Sequence, residues 1–224
     1  EKRINNQSLY DGEDEKSQPS LHLLLLRLFM ICFNTIMKTK EKVVAFTLFG
    51  GDQDCMYSSP EKTPGVCPVC FNRLEDVVDM SYHVRKRKGD LFCTYDFFRI
   101  VTEKFKRFCE ENKYPGLIFT PITASPGYYY FRPTGIYKLD YVRCKTKFIT
   151  KRECCGSYDE VIGGFTPGYK DSGFFMQSDD FILASEYWFG SFERKAPLII
   201  VGTRTKSKMK EYGLSNCFFF PIYE

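Results

Sequence analysis

DLFCTYDFFRIVTEKFKRFCEENKYPGLIFTPI (residues 90–122) and PLIIVGTRTKSKMKEYGLSNCFFFPI (residues 197–222) share an order of parts. Each has an apolar run, a stretch of helix formers, a glycine turn and a second apolar run closing on Phe-x-Pro-Ile. The endings lie one hundred residues apart, which matches Phe119 with Phe219, Pro121 with Pro221, Lys106 with Lys206 and Glu111 with Glu211. Apolar runs bounded by glycine read as strands, and apolar positions three and four apart read as helix. Two strand-helix-strand units related as an internal repeat are therefore expected. Matching Leu91 with Leu198 makes the first helix seven residues longer, close to two turns, so its buried face is preserved. Phe97, Val101, Phe105 and Phe108 form its core stripe. Asp96 and Thr203 are the expected helix caps.

Outward from these units the chain alternates strand and turn signals. VVAFTLF (43–49), ended by Gly50 and Gly51, reads as a buried strand. GYYYFRP and YKLDYVRCKTKFITKR read as strands around the RPTG turn, GFFM (173–176) as a short strand, and DDFILASEYWFG fits neither helical nor strand period. The fold class expected is α+β, with antiparallel-rich sheets each covered by a helix. Residues 37–224 read as a single α+β domain of two repeat-like lobes, about 37–125 and 126–224.

Residues 1–36 differ. EKRINNQSLYDGEDEKSQPS is polar and aperiodic, and LHLLLLRLFMICF is too short to span a bilayer. They are expected to be disordered or a non-native extension, with the native start at Met37. A chain of 224 residues with 43% apolar and 17% aromatic content can fill a sizeable core, and a net charge of +4 does not demand nucleic acid or anionic lipid. No phosphate loop, nucleophile elbow or histidine-nucleophile set is present in the sequence, so no catalytic residue is assigned and no small-molecule substrate is expected.

Ten cysteines are many for a reducing compartment unless some bind metal. Cys67-Pro-Val-Cys70 has the form of a zinc knuckle, in which a tight turn brings two thiolates to one ion. A partner pair is offered by Cys154 and Cys155, followed by Gly156, but Arg152 stands where a second Cys-x-x-Cys would begin. The candidate ligands of a structural zinc ion are Cys67, Cys70, Cys154 and Cys155, with Cys144 and His83 as alternatives for the fourth place. Such an ion would close a long loop and clamp two distant hairpins.

The order Cys-Pro-Val-Cys, a β-rich middle, Cys-Cys-Gly, then Ser178-Asp179-Asp180, Gly190 and the closing Phe-x-Pro-Ile resembles the bacterial double-CxxCG proteins, assigned as immunity proteins against toxins. The likeness runs from about Val43 to Ile222 and carries over Cys67, Cys70 and Cys155 as zinc ligands. Phe71, where the family has glycine, and Arg152 depart from the pattern. The resemblance implies a non-enzymatic cytoplasmic protein that binds a cognate toxin, without membrane attachment. Contact candidates are the aromatics of PGYYYF and the acids Asp179 and Asp180, although two adjacent acids also suit a helix N-terminus. Trp188 reads as core. The rival expectation is a zinc-knuckle nucleic-acid binder using Arg85 to Lys88, Arg143, Lys145, Lys147, Lys151 and Arg152, with Tyr128 to Tyr130 for stacking.

Overall fold

The computed structural model describes residues 41–85, 88–163 and 167–224, so the expectation for residues 1–36 lies outside the described chain. The first half runs through strands β1 (Val43–Phe49) and β2 (Gly51–Gln53), a long loop with one 3-10 turn, the hairpin β3 (Leu91–Thr94) and β4 (Arg99–Thr102), helix α1 (Glu103–Glu111) and β5 (Leu117–Pro121). The second half follows with β6 (Tyr128–Pro133), β7 (Ile136–Tyr137), the hairpin β8 (Lys147–Lys151) and β9 (Tyr158–Ile162), and β10 (Gly168–Tyr169). It closes with the hairpin β11 (Ile182–Ser191) and β12 (Arg194–Gly202), helix α2 (Thr203–Glu211) and β13 (Phe218–Tyr223).

Two mixed sheets result. One has eight strands in the order β10-β13-β1-β12-β11-β9-β8, with β7 alongside β11, and the other has five in the order β2-β3-β4-β6-β5. Each sheet takes strands from both halves. β1 lies between β12 and β13 and runs antiparallel to both. In the smaller sheet β6 lies between β4 and β5, again antiparallel to both. The strand after each inserted one returns to its own half: β2 pairs parallel with β3, and β7 pairs parallel with β11.

Burial on both faces explains the near-continuous apolar run of β1. Its Leu48 and Phe46 pack into one core, and Ala45 and Phe49 into another. The first core is shared by Leu48, Ile199 and Val201 of the larger sheet, Leu91, Val101 and Phe131 of the smaller one, and Phe105, Phe108 and Met209 from the helices. The helices run antiparallel. Lys104 near the start of α1 donates to the Gly213 carbonyl beyond the end of α2, and the Phe108 and Tyr212 rings meet with centroids 5.3 Å apart.

Both helices have nine residues. The expected seven extra residues fall in the β3-β4 region instead, and the proposed stripe is divided. Val101 is on β4, Phe105 and Phe108 are on the helix, and Phe97 sits in the hairpin turn at φ 67°. Asp96 is not a cap. It is buried in that turn, where its carboxylate accepts the N–H groups of Met56 and Tyr57, both at 2.9 Å. Thr102 caps α1, its hydroxyl accepting from the Phe105 N–H at 3.4 Å. Thr203 is the first residue of α2 and not its cap. That place belongs to Gly202, where a Cβ would come 1.8 Å from the Asp179 carbonyl oxygen, so only glycine fits.

Three other strand expectations change. β6 and β7 do not pair with each other, because the RPTG turn carries the chain from one sheet to the other: Thr134 N–H donates to Gly116 and Gly135 accepts from Ala184. GFFM forms a turn and irregular chain, with Phe175 81% exposed. DDFILASEYWFG forms β11, and its mixed period has a cause in the register shift between Ala184 and Trp188, which turns later side chains to new faces.

Candidate metal centre

The long loop between β2 and β3 carries the first cysteine pair, and the β8-β9 hairpin carries the second. The two turns have the same hydrogen-bond plan. In the first, Phe71 N–H donates to the Cys67 carbonyl at 2.9 Å, and Cys67 N–H donates to Asn72 at 2.8 Å. In the second, Gly156 N–H donates to the Arg152 carbonyl at 2.7 Å, and Arg152 N–H donates to Ser157 at 2.8 Å. Cys67 therefore corresponds to Arg152, Cys70 to Cys155, and Phe71 to Gly156. Phe71 takes up the glycine-like conformation at φ 58°, against 72° for Gly156, and leaves its ring 41% exposed. A bulky residue in this region is strained, yet the knuckle keeps its shape.

The sulfurs of Cys67, Cys70, Cys154 and Cys155 all lie within 4.8 Å of one another, close enough to hold a metal ion. Cys67 and Cys154 are 3.8 Å apart, and Cys70 and Cys155 3.5 Å apart. A tetrahedral zinc ion with bonds of about 2.3 Å sets its sulfurs about 3.8 Å apart, whereas a disulfide needs about 2.05 Å. Arg152 leaves one corner unfilled, and Cys154, two residues on, supplies it. Neither alternative takes part: Cys144 is buried beside Tyr169, whose N–H donates to its sulfur at 3.2 Å, and His83 is outside the group.

Around the sulfurs stands a shell that the sequence did not announce. Asn72 donates to the Cys70 sulfur at 3.2 Å and to Asp159 at 2.9 Å, while its carbonyl oxygen accepts from Lys195 at 2.6 Å. Lys195 is 2% exposed and has two further acceptors, the Ser157 hydroxyl and the Tyr158 carbonyl. All three acceptors are neutral, so a buried ammonium stands next to the sulfurs without a carboxylate bonded to it. Arg152 grips Asp159 through two nitrogens, at 2.8 and 2.7 Å. Arg73 lies 4.2 Å over the Phe98 ring and donates to the Lys195 carbonyl, tying the first knuckle to β12. Only the run RKAPLII, a lysine entering an apolar strand, hinted at any of this.

Electrostatics divide the sulfurs. Burial works against ionising Cys70, but the Asn72 hydrogen bonds and that from Cys155 outweigh it and bring the thiol down to about 6. Burial and the adjoining sulfurs push Cys154 up to about 12. Four thiolates this close repel, and all four would ionise together only with a cation among them. Burial lowers Lys195 to about 8 against the pull of Cys155, Asp159 and Cys70.

The other site candidates are dispersed. Tyr130 and Phe131 of PGYYYF are buried, leaving Tyr128 and Tyr129 half-buried. Asp180 accepts from Tyr114, Thr205 and Lys208, and Asp179 from Thr203, both at the start of α2. Trp188 is half-buried and lines a cavity of about 280 Å³ with Leu74, Cys155 and Lys195. Arg152 is held by Asp159, while Arg143, Lys145, Lys147 and Lys151 are exposed. No helix among the described residues is long and apolar enough to cross a membrane.

Compared with known families, curated proteins and solved structures, the chain finds no match.

Proposed function

We propose that this chain is a non-enzymatic binding protein, an immunity protein of the kind the double-CxxCG resemblance implies, acting in the cytoplasm on a cognate toxin. A structural zinc ion on Cys67, Cys70, Cys154 and Cys155 would hold its two knuckles together. The observation that carries this reading is the donor set. Four sulfurs satisfy a tetrahedral ion and leave no open position for water or substrate, as in structural zinc sites and unlike catalytic ones. Thiolates favour zinc over magnesium or calcium. A dianionic zinc-tetrathiolate centre also gives buried Lys195 its counter-charge.

We read segments 43–121 and 128–223 as two copies of one unit that have exchanged a strand. The matched knuckles and the equivalent places of β1 and β6 support this. Each copy contributes one knuckle, so the metal would join the copies at one point.

Purified chain should carry one zinc per molecule, and cobalt substituted for it should give the intense ligand-to-metal and tetrahedral bands of a tetrathiolate. If a neighbouring gene encodes a toxin, co-expression of this chain should restore growth to cells that make it; a toxin that kills equally with and without it ends the immunity reading. The exposed row Arg143, Lys145, Lys147 and Lys151 favours a second reading, binding to nucleic acid. A salt-dependent shift of generic duplex DNA would support that reading, and a flat response would remove it.

A further inference from the structure

We propose that Cys154 is an oxidation site whose resolving thiol is Cys67, so that peroxide exchanges the metal clamp for a disulfide between the same two knuckles. The starting state rests on the metal reading above. Of the four clustered cysteines Cys154 alone is exposed, while Cys67 is buried and Cys70 and Cys155 are half-buried. A water-borne oxidant therefore meets Cys154 first, and an ion shared by the four sulfurs would hold that one as the thiolate the attack requires. Across the gap Cys67 faces Cys154 at 3.8 Å and Cys70 faces Cys155 at 3.5 Å. Each knuckle is closed by its own backbone bonds, and Asn72 holds Asp159 across the gap at 2.9 Å, so the sulfurs stay opposed without help from the ion. Closing the Cys67–Cys154 pair from 3.8 Å to a disulfide bond asks for a movement of under about 2 Å.

The steps balance with hydrogen peroxide as the two-electron oxidant. The Cys154 thiolate attacks one peroxide oxygen, the O–O bond breaks, and hydroxide leaves a sulfenic acid behind. The Cys67 thiolate attacks the Cys154 sulfur, the S–O bond breaks, a second hydroxide leaves and the disulfide forms. Two sulfurs have lost two electrons and one peroxide has gained them. Cys70 and Cys155 alone would no longer hold a divalent ion, which would leave unchanged in charge, and a second peroxide can couple that pair in the same way. The new bond joins residues 87 apart, the same span the metal closed, so the fold remains pinned.

The test treats the zinc-loaded full chain with hydrogen peroxide, following zinc with a chromogenic chelator and cross-links by non-reducing peptide mapping. Expected are one zinc released per Cys67–Cys154 cross-link and a melting temperature within a few degrees of the metal-loaded chain. In Cys67→Ser, dimedone should label Cys154. A dominant Cys67–Cys70 or Cys154–Cys155 disulfide overturns the proposal, as does zinc release without any cross-link. Chain that purifies free of metal defeats the metal reading alone, since the same mapping after exchange with oxidised glutathione still tests which sulfurs pair.

Discussion

In the first knuckle Phe71 takes the left-handed turn and Cys67 supplies the outer sulfur; in the second Gly156 takes the turn, and an arginine stands where that sulfur would be. The backbones agree, but the ligands do not. Cys154 occupies the place that Val69 has in the first turn, where the side chain is 71% exposed, and reaches the cluster from there. A metal site fixes where sulfurs lie in space and leaves open which turn position provides them. The displaced position was then free for Arg152 to hold Asp159, which holds Asn72, which holds Cys70.

The largest effect is expected from removing what joins the knuckles. A link between Cys70 and Cys155 closes a span of 85 residues, and a loop of that order restricts the unfolded chain by roughly 4.5 kcal/mol. Chelation, or Cys70→Ser, should therefore lower the melting temperature by about 10 to 15 °C, read by differential scanning calorimetry. A chain that melts alike with and without chelator has no clamp. The assignment of Arg152 to the vacant ligand place is sharpened by a pair of variants. Cys154→Ser should lose most of the metal, and the double variant Arg152→Cys with Cys154→Ser should regain it, read as zinc per chain. If the double variant stays empty, the two turns are not equivalent.

A smaller effect separates the two helix starts. α1 has a threonine cap, whereas α2 begins at a glycine and relies on acids from 24 residues earlier in the chain. Despite partial burial, Lys208, Tyr114 and Thr205 hold the Asp180 carboxyl below its ordinary value of 3.8. A depressed carboxylate contributes stability above the unfolded value and loses it as pH falls through the folded one. Asp180→Asn should cost about 1 to 2 kcal/mol near neutral pH, and the gap from the parent chain should close as acid denaturation is followed below pH 3.8. A gap that is constant with pH would show that the carboxylate charge is not what matters. The smallest effects concern the turn residues. A Cβ at Gly156 meets nothing within 4 Å, so Gly156→Ala should cost about 1 kcal/mol from backbone strain alone, and Phe71→Gly should recover a similar amount. Chemical denaturation would detect both, and equal signs for the two would break the correspondence.

The parts of this fold visible in the sequence were those set by local periodicity. VVAFTLF had to be a strand, and the hundred-residue spacing located both helices, though not their equal length. Pairing was not visible, because nothing in β1 or β6 says that its neighbours lie in the other half. The over-long first helix came from matching Leu91 with Leu198 and from Phe97 and Val101 falling at helical spacing, although Phe97 lies in a hairpin turn and Val101 on the strand after it. At the candidate centre the cysteines could be named by type and grouping, but the choice of Cys154 over Cys144 and His83 needed the fold. Asn72 and Asp159 carried no pattern, and Lys195 only the oddity of a lysine entering an apolar strand, since their roles depend on distances between residues that lie far apart in the chain.

The long-range pairing of β1 has a bearing on how the molecule is made. Among the described residues β1 pairs with two strands, which begin at Arg194 and Phe218, so most of the polypeptide must leave the ribosome before it finds its place. Until then an apolar, β-prone segment waits without neighbours, which is the condition under which nascent chains call on holding chaperones. Assembly of the larger sheet is in this sense a post-translational event.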